Sequence, residues 1–341
     1  MQQSFVSPSY VAAELQARKN RADHDFGEAA SSAKLAAEIA RSDGDMDSWW
    51  NMTFFQAENL LDAEDFDKCA DLAIGLVNCP RGTSERHDLA RTYILLAKAK
   101  QGAGQLEQAA EAARAAVELV SDDPDVETNV KARQALIAAL ADTGRLDEAW
   151  AECLALADVI SAEVDDQLMG KAYWVIGNVA FLCNNVQQGL NYHELAAATF
   201  SPARNLDVWA KFNKASAAMR LAADVADTDT LRCIERAELA TDVIGGSAND
   251  YLLMKLNRAH WSSLAGDPAA AIELLEQVCA DEDKTSPQIL GEACLLLGRA
   301  HAATGNQAAA REHLLKAADH FEAAGAPQRA DQAREFLAAG S

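Results

Sequence analysis

Small residues at Ala29, Cys69, Ala109, Ala149 and Gly189 stand 40 positions apart, and Ala271 and Ala310 continue the series after one irregular unit. Around each of them the chain reads as an apolar helix, a short break, and a second helix with small side chains on one face. The segments LARTYILLAKAKQGAGQLEQAAEAARAAVELV from Leu89 and MGKAYWVIGNVAFLCNNVQQGLNYHELAAATF from Met169 show this most clearly. A fixed period of this length means one helix pair repeated and stacked, each pair burying an apolar face that it could not bury alone. Large side chains on one helix must then enter gaps left by small ones on its partner. Alanine, about a fifth of the 341 residues, supplies those gaps and favours helix over strand.

The units run over 8–42, 47–79, 87–121, 127–161, 166–201, 205–245, 250–282 and 288–324, with a capping helix over 327–339 in a single array spanning 1–341. Pro80, Pro124, Pro202 and Pro287 fall between units, where a helix must stop. The sixth unit departs from the pattern: the run DVADTDT after Asp224 lengthens the turn, and no small residue fills the expected slot. A hinge or a distortion of the array is expected there.

These residues resemble the tetratricopeptide repeat (TPR) family. The resemblance is carried by Tyr93, Leu96, Ala97, Gly104, Ala109 and Ala116 in one unit. Tyr173, Ile176, Gly177, Gly189 and Ala196 carry it in another, and Leu297, Gly298, Gly305, Ala310 and Ala317 near the end. It covers nearly the whole chain, with units longer than the family's basic repeat of about 34 residues. It implies an all-α, right-handed superhelical solenoid of about eight helix-turn-helix units with a C-terminal capping helix, the first helix of each unit lining a concave groove. Long units of this kind are similar to the sensing domains of bacterial peptide-pheromone receptors. Many of those carry a DNA-binding module, which no segment before the first unit here provides.

Function in such an array lies on the groove-facing side chains. Trp174 and Asn178, four residues apart, share one stripe of a first helix. A bulky residue followed by Asn recurs, with small shifts of register, as Phe55/Asn59, Trp209/Asn213 and Leu253/Asn257. A primary amide both donates and accepts, so it can bond a peptide backbone without reading its side chains. The resemblance transfers to these asparagines the ladder by which TPR peptide receptors hold an extended peptide. The competing reading gives Asn a solvated groove and the two tryptophans a place in the helix–helix core. Arg91, Lys131 and Lys171 occupy one early helix position in three successive units, 40 apart, while Lys98, Arg258 and Arg299 sit near the Asn position of theirs. Lys211 continues the spacing, but the Trp209/Asn213 alignment sets it aside. A cationic stripe would favour a ligand bearing acidic side chains or a free carboxylate.

The net charge of −22 opposes a direct nucleic-acid partner. No apolar run suits a membrane span, and the N-terminal residues lack the order of a signal peptide. The seven cysteines never form CxxC and read as small hydrophobes in a reduced, cytoplasmic protein. The seven histidines are scattered, and His193 reads as a packing residue. No metal set, cofactor-binding loop or catalytic motif is present, and the acid pairs Asp122/Asp123 and Asp165/Asp166 read as helix-start charges. The expectation is a non-catalytic regulator binding an extended peptide or protein segment, without cofactor, and with a homodimer left open. The alternative is a constitutive adaptor holding protein partners together. A third class, an inhibitor or phosphatase acting on a signalling protein, normally needs an additional helical bundle.

Overall fold

A computed structural model describes residues 7–79, 85–121, 125–160, 164–280 and 285–339. The described residues form seventeen α-helices and no strand. They fall into two compact units, divided between Cys183 and Asn184. The first holds α1 (Pro8–Ala22), α2 (Phe26–Ser42), α3 (Met46–Asp62), α4 (Phe66–Val77), α5 (Glu85–Gly102), α6 (Leu106–Val120), α7 (Val126–Asp142), α8 (Leu146–Val159) and α9 (Asp166–Leu182). The second holds α10 (Val186–Thr199), α11 (Leu206–Ala222), α12 (Thr228–Ile244), α13 (Ala248–Leu264), α14 (Pro268–Cys279), α15 (Pro287–Ala303), α16 (Gln307–Ala323) and α17 (Pro327–Ala339).

Acidic and amide caps begin most of these helices. The carboxylates of Asp25, Asp45, Asp125, Asp165, Asp227 and Asp267 each accept a backbone N–H from the first turn that follows. Such a cap satisfies one of the donors that a helix start leaves unpaired. Pro287 opens α15 and Pro202 lies in the turn before α11, whereas Pro80, Pro124 and the Asp122/Asp123 pair lie outside the described residues.

The turn inside each helix pair carries the period. His24, Glu64, Gly104, Gly144, Asn184 and Asp224 are left-handed, with φ between 57° and 73°, and each stands 40 residues from the next. Gly266 and Gly305 take the same place in the later pairs. Four of these eight residues are not glycine, so each pays the steric cost of a Cβ in that conformation.

The small-residue slots are buried. Ala29, Cys69, Ala109, Ala149 and Ala271 are fully buried, and Gly189 and Ala310 are buried too. In the sixth pair the slot is filled after all, by Thr230, which comes one position later than the 40-residue spacing. Its hydroxyl donates within the turn, to Val225 O at 3.0 Å or Asp227 Oδ1 at 2.9 Å. Counting missed it because the residues between Asp224 and the Asp227 cap lengthen the turn while the left-handed residue stays in register. In the first unit α3, α5, α7 and α9 contact one another in succession, which sets the first helices of the pairs side by side. In the second unit α11, α13 and α15 do the same.

Candidate functional site

The row α3–α5–α7 carries a cavity of about 280 Å³, closed at one side by the last turn of α1. Arg21 of α1, Arg91 and Lys98 of α5, and Lys131 of α7 line it, opposed by Glu58 and Asp62 of α3. Arg91 and Lys98 lie seven residues apart, two helical turns on one face. Phe54, Glu58 and Asp62 follow one another at four-residue steps on the facing helix.

The charges in this cavity are unequally compensated. Arg21 pairs with Asp62 at 2.8 Å and Lys131 with Glu127 at 2.5 Å. Arg91 lies over the Phe54 ring and reaches Asp88 only at 4.0 Å. Lys98 opens to solvent along the groove but is hemmed in by protein on its other sides. Burial, then the positive charges of Lys171 and Lys131, hold its ammonium below the usual lysine range, while Asp62 and Glu58 oppose them through space. The influence of Lys171 on Lys98 brings α9 into the same electrostatic field. Glu58 moves the other way, its carboxyl raised above the usual range by burial and only partly restrained by Arg21 and Arg91. Four cations, Arg21, Arg91, Lys98 and Lys131, line the cavity against two carboxylates, Glu58 and Asp62. Arg91, Lys98, Lys131 and Lys171, expected as a cationic stripe, thus lie in one electrostatic neighbourhood.

The asparagines are placed otherwise. Asn59 is fully buried; its Nδ2 donates to Phe55 O of its own helix at 2.6 Å, and its Oδ1 accepts from Arg21 at 2.9 Å. Asn213 is also buried, its Nδ2 donating to Trp209 O at 2.8 Å. The expected ladder is therefore corrected at these two positions: both side chains are buried in the helix packing with Nδ2 bonded within their own helix, and the Asn213 Oδ1 is left without a hydrogen bond. Asn257 donates to Lys214 O of the neighbouring helix at 3.1 Å. Trp174 and Asn178 are half-buried on α9 and engaged with neighbouring groups. Phe55 presents its ring to the guanidinium groups of Arg18 and Arg21, at 5.4 and 5.6 Å.

Register explains the split. Six residues before the left-handed turn residue stand Arg18, Glu58, Lys98, Ala138, Asn178, Ala218, His260 and Arg299. Asn59 stands one residue away from that series, and Asn213 and Asn257 five and three away. One residue turns a side chain about 100° around the helix, enough to take it from groove to core. Glu58 was missed in the sequence although it holds the register of Lys98, 40 residues earlier. Counting from the turn would have found it. The same count restores Lys211 to the series of Arg91, Lys131 and Lys171, each thirteen residues before its turn residue.

In the second unit the remaining expected residues join helices. Trp209 lies under the Arg236 guanidinium at 5.9 Å. Arg258 is held by Glu238 of α12, its Nε donating at 3.1 Å. Arg299 reaches Asp224 at 3.8 Å and lies 5.1 Å from the Phe336 ring. His193 is packed as expected, buried with its Nδ1 2.9 Å from Ser216 Oγ. Among the described residues no group of three His, Cys, Asp or Glu side chains could hold a metal ion, and no helix is long and apolar enough to cross a membrane.

No protein-family model and no curated protein matches this chain. Solved structures do. The aspartyl phosphate phosphatase F from Bacillus subtilis is 16% identical with a TM-score of 0.58, the match covering 85% of this chain and 75% of that one. The apo form of RapI is 10% identical with a TM-score of 0.55, covering 96% and 97%. The apo form of the quorum sensor NprR from B. thuringiensis is 10% identical with a TM-score of 0.58, covering 97% and 87%. At these identities the likeness is one of fold, and with the repeated helix pairs it defines the class: an all-α helical-repeat solenoid of the TPR type.

Proposed function

We propose that this chain is a non-catalytic regulator that binds an extended peptide or protein segment, and that Arg91, Lys98, Lys131 and Lys171 receive its acidic side chains or free carboxylate. The observation that carries this reading is the gathering of Arg21, Arg91, Lys98 and Lys131 around one cavity that holds two carboxylates, Glu58 and Asp62. An anionic ligand would offset the surplus through charge-assisted hydrogen bonds, in a partly desolvated cavity where they count for more than on an open surface. Asn178, in register with Lys98, adds an amide for a ligand backbone; Asn59 and Asn213 serve packing instead. Trp174 is its bulky neighbour on α9. The fold is shared with a bacterial quorum sensor, which supports a regulatory role, and with an aspartyl phosphate phosphatase.

Fluorescence polarisation with a labelled, glutamate-rich peptide and its uncharged glutamine counterpart tests this reading. The acidic peptide is expected to bind more tightly, to lose affinity as salt rises, and to lose about tenfold or more with Lys98→Met combined with Lys131→Met. Equal binding of both peptides, or binding untouched by the double substitution, refutes the cationic site. A protein partner retained by the double variant and lost on outer-face changes would mark a constitutive adaptor.

A further inference from the structure

The second unit contains a buried guanidinium whose Nε is left without a hydrogen bond and whose ion pair is long. Arg220, near the end of α11, has only 5% of its side chain exposed. Its Nε has no hydrogen-bond acceptor, and its one ion-pair partner among the described residues, Asp227, lies 3.8 Å from Nη1. That carboxylate is already engaged: Asp227 Oδ1 accepts from Thr230 N at 2.8 Å and lies 2.9 Å from the Thr230 hydroxyl. Arginine keeps its charge at any ordinary pH, so burial leaves it in want of an anion.

Arg220 lines a cavity of about 190 Å³ bounded by α10, α11 and α12. Two more arginines, Arg232 and Arg236, line it as well. Of the acids at its wall, Asp229 is tied to Arg232, and Glu194 is exposed. The positive field is felt by His193, whose imidazole is pushed down to about 3 by burial and by Arg220. At about 30 Å³ for each water, the cavity has room for a small oxyanion with several waters.

From this geometry we propose that the cavity between α10, α11 and α12 binds a small oxyanion, a phosphate or carboxylate group, with Arg220 at its floor and Arg236 at its wall. It is separate from the cationic groove of the first unit and does not depend on the function proposed above. The anion would complete the hydrogen bonding of Arg220 and tie the three helices together, so occupancy would stabilise the fold by mass action.

Thermal unfolding of the full chain in inorganic phosphate, sulfate, acetate or chloride at matched ionic strength tests the proposal. Phosphate and sulfate stabilise any fold by exclusion, so a rise in Tm over chloride supports a tetrahedral anion where it is larger than in Arg220→Met, and a rise with acetate alone, again larger than in the variant, supports a carboxylate. No rise over chloride with any of them overturns the site. Arg220→Met removes a buried charge whose ion pair is long, so it is expected to be close to the parent in stability in chloride and to show a smaller anion response. An unchanged response in that variant overturns the proposal. Should Arg220→Met fail to fold, phosphate binding followed by ³¹P line broadening decides. Affinity reduced about tenfold or more in Arg236→Gln supports the site, and undiminished affinity overturns it.

Discussion

Arg91 lies over the ring of Phe54 with its guanidinium carbon 4.5 Å from the ring centroid. The ring in turn stacks on Trp50, one turn earlier on α3, at 5.3 Å and 6°. An arginine held over a fixed aromatic face gives up little freedom on meeting a carboxylate. Phe54→Leu keeps the apolar wall and removes the face beneath the guanidinium. The expected outcome in peptide titrations is an affinity weaker by about twofold to fivefold with helix content unchanged.

Asn59 separates packing from recognition. Asn59→Ala deprives the half-buried Arg21 of an acceptor, so denaturant unfolding is expected to show a loss of about 1 kcal/mol. Affinity for the acidic peptide should stay within about twofold, because the remaining cations of the groove are untouched. Asn178→Ala should do the reverse, weakening binding more than folding. If both substitutions weaken binding equally, the register argument that divides them is wrong.

The left-handed turns offer a stabilising change. Glu64 adopts φ 60°, where a Cβ crowds the backbone. Glu64→Gly removes a strain of about 1–2 kcal/mol, partly offset by the larger entropy of glycine in the unfolded chain. Melting curves are expected to move upward, by a net effect of a few tenths to about 1 kcal/mol. A Tm at or below that of the parent would contradict the turn analysis.

The buried His193 and the half-buried His260 make stability depend on pH. Burial and nearby arginines push His193 down to about 3 and His260 down to about 4, so both are neutral in the folded chain at pH 7. The unfolded chain binds these protons once pH falls below about 6.5, and the folded chain does not until about 3 to 4. Their contribution is thus present above about pH 6.5 and is lost as pH falls through that window. Each histidine is expected to add a slope of up to about 1.4 kcal/mol per pH unit, read from urea midpoints between pH 7 and pH 4.5. His260→Gln should flatten the curve.

Gly298 marks a close approach of α15 and α16. A Cβ there would come within 2.6 Å of Leu314 Cγ and 3.2 Å of Ala310 O. Gly298→Ala is expected to cost about 1–3 kcal/mol despite the better helix propensity of alanine. A neutral or stabilising result by calorimetry would show that α15 and α16 can move apart freely.

Much of the site was legible once the period was known. The early cations Arg91, Lys131 and Lys171 could be aligned by counting, because equal spacing places side chains on equivalent faces of successive helices. Lys98 could be found in the same way. Errors entered where alignment relied on residue type. Matching Asn59 to Asn178 by their shared amide overlooked one residue of rotation, and matching Trp209 to Trp174 displaced Asn213 from the groove series. The turn residue is the better ruler, but His24, Glu64, Asn184 and Asp224 carry no glycine signal for it.

By itself, the sequence determined the repeating helix pair, since the 40-residue spacing of small residues satisfies one packing requirement over and over. It also determined that the early cations would share a helix face. Only the tertiary structure decided how each charge is compensated. Lys98 and Arg220 look alike as residues in a chain, and each is distinguished by what surrounds it: other cations in the groove, and a distant carboxylate already engaged by Thr230. Periodicity sets which way a side chain points, but desolvation and counter-charge depend on groups far away in the chain, and those meet only when the helices pack.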